Sequence, residues 1–91
     1  MKKSYLLTIK GRVQGVGYRW FAREAANSLS LTGYVKNLYN GDVEAFAEGD
    51  EEILERFILE LKKGPRMSHV EDVIVKEYSY GPKFTEFSVT F

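Results

Sequence analysis

Gly11-Arg12-Val13-Gln14-Gly15-Val16-Gly17-Tyr18-Arg19 joins two stretches of different hydrophobic period. Before it, residues 4–10 follow period two and predict a strand with Leu7 and Ile9 inward. After it, Tyr18, Phe21, Ala22, Ala25, Ala26 and Leu29 share one stripe at helical spacing and predict a helix over residues 18–30. The stretch is a strand-to-helix connection. Its glycines let the backbone turn tightly and bring N–H groups close to a ligand. The helix start adds unpaired N–H groups and partial positive charge. Together these suit a phosphate-sized anion. No Ser, Thr, Asp or Asn stands at positions 16–18 to cap the helix with a side-chain oxygen. Arg19 on the first turn opposes the helix dipole, unless a bound anion reverses the local charge. On composition and spacing alone, a tight turn that merely needs glycine explains the stretch equally well.

Further along, residues 31–38 read as a second strand, with Tyr34 and Val35 at its centre. Asn40-Gly41 predicts a two-residue type I′ hairpin. Residues 42–48 return with Val43, Ala45 and Ala47 on one face and Glu44, Phe46 and Glu48 on the other. The small alanines predict a central strand under a closely packed helix. Asp50 is expected to cap a second helix, with Glu51 and Glu52 suiting its positive end. Ile53, Leu54, Phe57, Ile58 and Leu61 form its buried stripe, Lys62-Lys63 suit its negative end, and Gly64-Pro65 stop it. By contrast with the first helix, this one is expected to be capped by its own residues. Residues 65–69 read as a loop. Residues 70–78 read as a strand with Val73 and Val75 on one face, and residues 79–83 as a turn around Gly81-Pro82. Residues 85–91 read as a last strand, on an edge, with Phe87, Val89 and Phe91 on one face. Trp20 lies off the helix stripe and is expected to be partly exposed or covered by a terminus.

The predicted order is βαββαβ plus a terminal strand. Two β-α-β halves joined by a hairpin match the ferredoxin-like split arrangement. The expected class is α+β, with a mostly antiparallel sheet, both helices on one face and an extra C-terminal strand. Ninety-one residues make one domain, residues 1–91. The formal charge is zero, which argues against a general nucleic-acid binder. The chain has no cysteine and one histidine, so disulfides, a thiolate nucleophile and multi-His metal sites are excluded. The apolar run after Lys2-Lys3 ends at Thr8 and Lys10, too soon for a secretory segment, and no stretch has transmembrane length. A soluble cytoplasmic protein without membrane contact is expected.

The loop is not a Walker A motif, because no Gly-Lys-Ser/Thr follows. Nor is it a dinucleotide fingerprint, because Trp20 stands at the third glycine position. The run from Ile9 to Arg19 does resemble the first signature of the acylphosphatase family. Gly33-Tyr34-Val35-Lys36-Asn37, with Gly41-Asp42-Val43 and Gly49, resembles the second. Both occur in order and at the family's spacing, and the similarity extends over essentially the whole chain, including Ser68-His69-Val70. Tyr18 departs from the family's usual phenylalanine, and its hydroxyl is expected to need a partner or water.

The resemblance implies hydrolysis of acyl phosphates to a carboxylate and inorganic phosphate, on the same fold. It places Arg19 as the phosphate-binding arginine and Asn37 as the residue that holds the attacking water. Backbone N–H groups of Gly15, Val16, Gly17, Tyr18 and Arg19 complete the phosphate cradle. It implies a small-molecule acyl phosphate as substrate, inorganic phosphate as product and competitor, no cofactor and no metal. A monomer is expected. Arg12 reads as a rim charge, His69 as a loop hydrogen-bonding residue, Glu51-Glu52 as helix-start charges, and Tyr39, Tyr78 and Tyr80 as surface or edge aromatics. Two other readings use the same fold. An RNA-recognition domain would present exposed aromatics on its central strands, where this chain has Glu44, Phe46 and Glu48. An anion carrier without turnover would have no need of both Arg19 and Asn37.

Overall fold

Tyr5, Leu7 and Ile9 are fully buried, as the period-two pattern requires. They lie on β1, which runs from Lys2 to Arg12 and is longer than expected at both ends. The computed structural model describes residues 1–79 and 84–91; Tyr80 and the expected turn around Gly81-Pro82 lie outside the described residues. After β1 come α1 (Tyr18–Ser28), β2 (Thr32–Asn37), β3 (Val43–Asp50), α2 (Glu51–Lys63), β4 (His69–Tyr78) and β5 (Phe87–Val89). The five strands form one sheet in the order β4-β1-β3-β2-β5. β2 and β5 pair in parallel, and the other neighbours are antiparallel. This is the expected ferredoxin-like α+β arrangement.

At its start β1 extends because Lys2 and Lys3 pair with Asp50 and Gly49 of β3, and at its end because its pairing with β4 continues through an irregularity. Lys10 pairs with Asp72 but Gly11 pairs with Val70, so Glu71 is skipped. A Cβ on Gly11 would stand 2.1 Å from the His69 carbonyl oxygen. That close approach is why glycine is needed there. Gly11 and Arg12 therefore belong to the strand, and the anion loop begins at Val13. The skip also turns Val70 to the same side as Val73, where it packs against the core. Val75 shares the face of Val73 but remains 41% exposed. β4 is an edge strand, and the helical cover does not reach that far.

β3 is the central strand. Val43, Ala45 and Ala47 are fully buried in a core shared with Ala22, Ala26, Leu54, Phe57 and Leu61 of the helices. Small side chains at the centre of the sheet let the helix layer approach closely. α1 ends at Ser28, two residues early. Ser30 takes a left-handed φ of 59°, and the Leu31 N–H returns to the Ala26 carbonyl at 2.9 Å. No helix among the described residues is long and apolar enough to cross a membrane.

Two local expectations fail. The hairpin is not a two-residue type I′ turn, because Asn40 does not take the positive φ that such a turn demands. Instead the Leu38 N–H donates to the Asp42 carbonyl (2.8 Å) and the Gly41 N–H to the Leu38 carbonyl (3.2 Å), which closes a three-residue loop with Gly41 at φ 98°. Asp50, for its part, makes no side-chain cap on α2. It is still the last residue of β3, opposite Lys2, and its Oδ1 lies 3.8 Å from the terminal amino group of Met1. The Met1 carbonyl accepts the Glu51 N–H at 3.0 Å, so main chain rather than side chain meets that end of the helix.

On the open face, the Tyr34 and Phe46 rings stack with centroids 5.9 Å apart, and Phe84 packs over both. Glu48 is buried and accepts hydrogen bonds from Ser4 Oγ (3.3 Å) and the Phe84 N–H (3.1 Å). These aromatics are covered rather than laid out as a platform for bases.

Candidate active site

Two buried side chains pin the ends of the loop. Val13 is 1% exposed and Tyr18 2% exposed. The Tyr18 hydroxyl donates to the Leu61 carbonyl at 2.6 Å, so the departure from the family pattern has a partner inside the protein. Burial drives the Tyr18 phenol well above its ordinary range. Between the anchors, Gly15 and Gly17 take left-handed φ values of 75° and 78°. A Cβ at either would meet nothing within 4 Å, so the space over the loop is open.

Gly17 is the N-cap of α1 and offers no side chain to its N–H groups. The contrast expected between a self-capped α2 and an uncapped α1 does not hold in that form, since neither has a side-chain cap hydrogen bond. It holds in charge. α2 carries Glu51 and Glu52 in its first turn, whereas α1 carries no acidic residue there and has Arg19 instead. Nothing on the chain's own first turn neutralises the positive end of α1.

Arg19 and Asn37 come from different elements, and the fold brings them together. A cavity of about 550 Å³ is lined by Gly15, Gly17, Arg19 and Asn37, with Arg23 and Phe91 beside them. Tyr18 also borders it. Val16 does not, and its side chain packs against the core. Asn37, the last residue of β2, also faces a neighbouring depression lined by Gln14 and Lys36. Arg12 and His69 pair across β1 and β4, are exposed, and lie outside the cavity. Tyr39 and Tyr78 are exposed, as expected. Among the described residues, no group of three His, Cys, Asp or Glu side chains lies placed to hold a metal ion.

Several positioning contacts escaped the reading of the sequence. Gln14 Nε2 donates to the Leu38 carbonyl (2.7 Å) and the Asp42 carbonyl (2.8 Å), tying the loop to the hairpin that follows Asn37. Arg19 Nη1 donates to the Thr90 carbonyl at 3.2 Å, and its guanidinium lies 4.7 Å from the Phe91 ring centroid. The Thr90 N–H donates in turn to the Val35 carbonyl at 2.8 Å. Phe91 lies beyond the end of β5 and is fully exposed, although it borders the same cavity as Phe87 and Val89. No local pattern at Thr90 or Phe91 signals this, because it depends on the parallel pairing of β5 with β2.

The fold and the cavity together define a small α+β domain built around an uncapped, cationic helix start, the arrangement of an anion site. A family model for acylphosphatase matches residues 5–89. An acylphosphatase of Clostridium acetobutylicum is 38% identical over 91 residues, which is 100% of both chains. One of Thermus thermophilus is 56% identical over 68 residues, 75% of this chain and 77% of that one. The crystal structure of acylphosphatase from Bacillus subtilis superposes with a TM-score of 0.95, at 38% identity and with each chain covered in full. The chain belongs to the acylphosphatase family.

Proposed function

We propose that this chain hydrolyses acyl phosphates at the cavity shared by the Gly15–Arg19 loop and Asn37, acting as a single-domain monomer in the cytoplasm. The activity follows from family membership; the assignment of roles is our own reading. One observation carries it: a cationic helix start and a neutral amide from another strand border the same cavity. Backbone N–H groups from Gly15 to Arg19 hold the phosphoryl oxygens, and the Arg19 guanidinium supplies the balancing charge. The Asn37 amide orients a water for in-line attack on phosphorus. An aspartate there would repel the anionic substrate, whereas a neutral amide does not.

In the step itself, the water oxygen bonds to phosphorus and the bond from phosphorus to the acyl oxygen breaks. The carboxylate leaves with the electron pair, and the proton from water passes to the phosphate. A carboxylate is a good leaving group, so no side-chain acid is required. Phosphoryl transfer then depends mainly on positioning and charge stabilisation, which fixed dipoles and one guanidinium supply. Inorganic phosphate, the product, competes for the same cradle. The test is hydrolysis of acetyl or benzoyl phosphate with EDTA present. Turnover that persists in EDTA is expected. Absence of turnover, or turnover only after a divalent metal is restored, would overturn the reading.

A further inference from the structure

We propose that the groove beyond the phosphate loop is a subsite for a carboxylate on the acyl chain, held by Arg23 against Trp20, so that the favoured substrates are acyl phosphates of dicarboxylic acids. This rests on the hydrolytic reading above and names the substrate class for the same site.

Arg23 follows Arg19 by four residues, which puts both on one face of α1, about 6 Å apart along its axis. Both line the same cavity, which continues from the loop between α1 and the segment from Glu86 to Val89. A phosphate held at Arg19 leaves the Arg23 end of that space for the acyl group. Trp20 is 59% exposed, and the Arg23 guanidinium lies over its ring, 4.2 Å from the centroid. The stacking fixes the plane of the guanidinium and leaves its edges for in-plane partners.

Those edges are underused. Arg23 Nε is buried without a hydrogen-bond partner among the described residues, so the donors open to a ligand are those of the Nη groups. Glu24 approaches Nη2 only to 3.7 Å, beyond the roughly 2.7–2.9 Å of a charge-assisted hydrogen bond. A role in covering Trp20 accounts for the stacking. It does not account for a guanidinium with unused donors at the wall of a substrate-sized cavity. A planar fork held in place in this way matches a carboxylate. Glu86 also lines the cavity and disfavours an anion beside it, so a carboxylate is held where the Arg23 charge outweighs that of Glu86. A chain of two or three carbons beyond the carbonyl spans the helical turn between the two arginines.

Succinyl phosphate and butyryl phosphate have the same chain length and differ in the terminal carboxylate. Their kcat/KM values would be compared in the wild type, Arg23→Gln and Arg23→Lys, with folding checked by circular dichroism. The succinyl-to-butyryl ratio should fall at least about tenfold in Arg23→Gln, the scale of one lost charge-assisted hydrogen bond. Arg23→Lys should recover part of it. An unchanged ratio in both variants overturns the subsite. Equilibrium binding of the matching phosphonates, with methylene in place of the bridging oxygen, reads the ratio without turnover. If the phosphonate ratio depends on Arg23 but neither ester is hydrolysed, the subsite stands and the hydrolytic reading fails. If both esters are hydrolysed but the phosphonate ratio ignores Arg23, the subsite alone fails.

Discussion

Tyr18→Phe removes one oxygen and leaves the ring in the core. The lost hydroxyl donates at 2.6 Å to the Leu61 carbonyl, inside the protein. Leu61 lies in the last turn of α2, where carbonyls have no partner within the helix. The variant therefore leaves a buried acceptor unpaired, which costs about 1–3 kcal/mol. Part of that is offset, because the phenol oxygen no longer has to be desolvated. The expected loss is about 1.5 kcal/mol, which for a domain of this size lowers Tm by roughly 6–12 °C. Tyr5→Phe is the internal control. The Tyr5 hydroxyl meets Glu55 Oε2 at 3.2 Å where the contact is only partly buried, so its loss should stay within about 0.5 kcal/mol. Urea unfolding at neutral pH gives both values from midpoints at a common slope. Equal losses in the two variants, or none in Tyr18→Phe, would refute the claim that this hydrogen bond anchors the start of α1 to the end of α2.

Other consequences follow from the same contacts. Gly11→Ala should cost at least about 2 kcal/mol in urea unfolding, since its Cβ would stand 2.1 Å from the His69 carbonyl oxygen at a φ of 128°. Gln14→Ala severs both ties between the loop and the hairpin, and should lower kcat/KM about tenfold or more in an acetyl phosphate assay. Stability should fall with rising pH above the ordinary tyrosine value. Burial raises the Tyr18 phenol and, with the Glu44 hydrogen bond, pushes Tyr34 up to about 12. Below pH ~10 both rings are neutral in the folded and unfolded chain and the stabilisation is complete; above it the unfolded chain loses protons first. Urea midpoints at about pH 9 and about pH 11 should show this fall, with a shallower slope in Tyr18→Phe.

Local pattern carried the reading of the sequence a long way, and it failed where distant segments intervene. The period-two run through Leu7 and Ile9 and the stripes on both helices are local. Tyr18, Ala22, Ala26, Leu54, Phe57, Ile58 and Leu61 are buried as the stripes predict, while Ala25, Leu29 and Ile53 pack against the core only partly buried and Phe21 stays half-buried. Their order implies the sheet topology, because a hairpin between two β-α-β halves has few compact solutions. The extension of β1 past Lys10 depends on β4 skipping Glu71, of which Gly11 is the local trace but not the cause. Asn40-Gly41 is a strong hairpin signal, but the pairing of Leu38 with Asp42 selects a longer loop. Asp50 has the chemistry of a cap, yet the strand pairing opposite Lys2 holds it elsewhere. Within the candidate site, two separated motifs single out Arg19 and Asn37, which the fold brings to one cavity. Arg23 was legible in principle, by its helical spacing from Arg19. The support that Thr90 and Phe91 give to Arg19 was not, because it exists only once β5 lies beside β2.

The central claim divides the chemistry between two residues, Arg19 binding phosphate and Asn37 orienting water. It is tested most directly by measuring, in Arg19→Ala and Asn37→Ala, both kcat for acetyl phosphate and the inhibition constant of inorganic phosphate. Each variant should lose at least roughly 10²-fold in kcat, the scale of one preorganised donor. Phosphate inhibition should weaken at least about tenfold in Arg19→Ala, and change less than about twofold in Asn37→Ala. Wild-type turnover in either variant, or a phosphate affinity that depends on Asn37 as strongly as on Arg19, would contradict it.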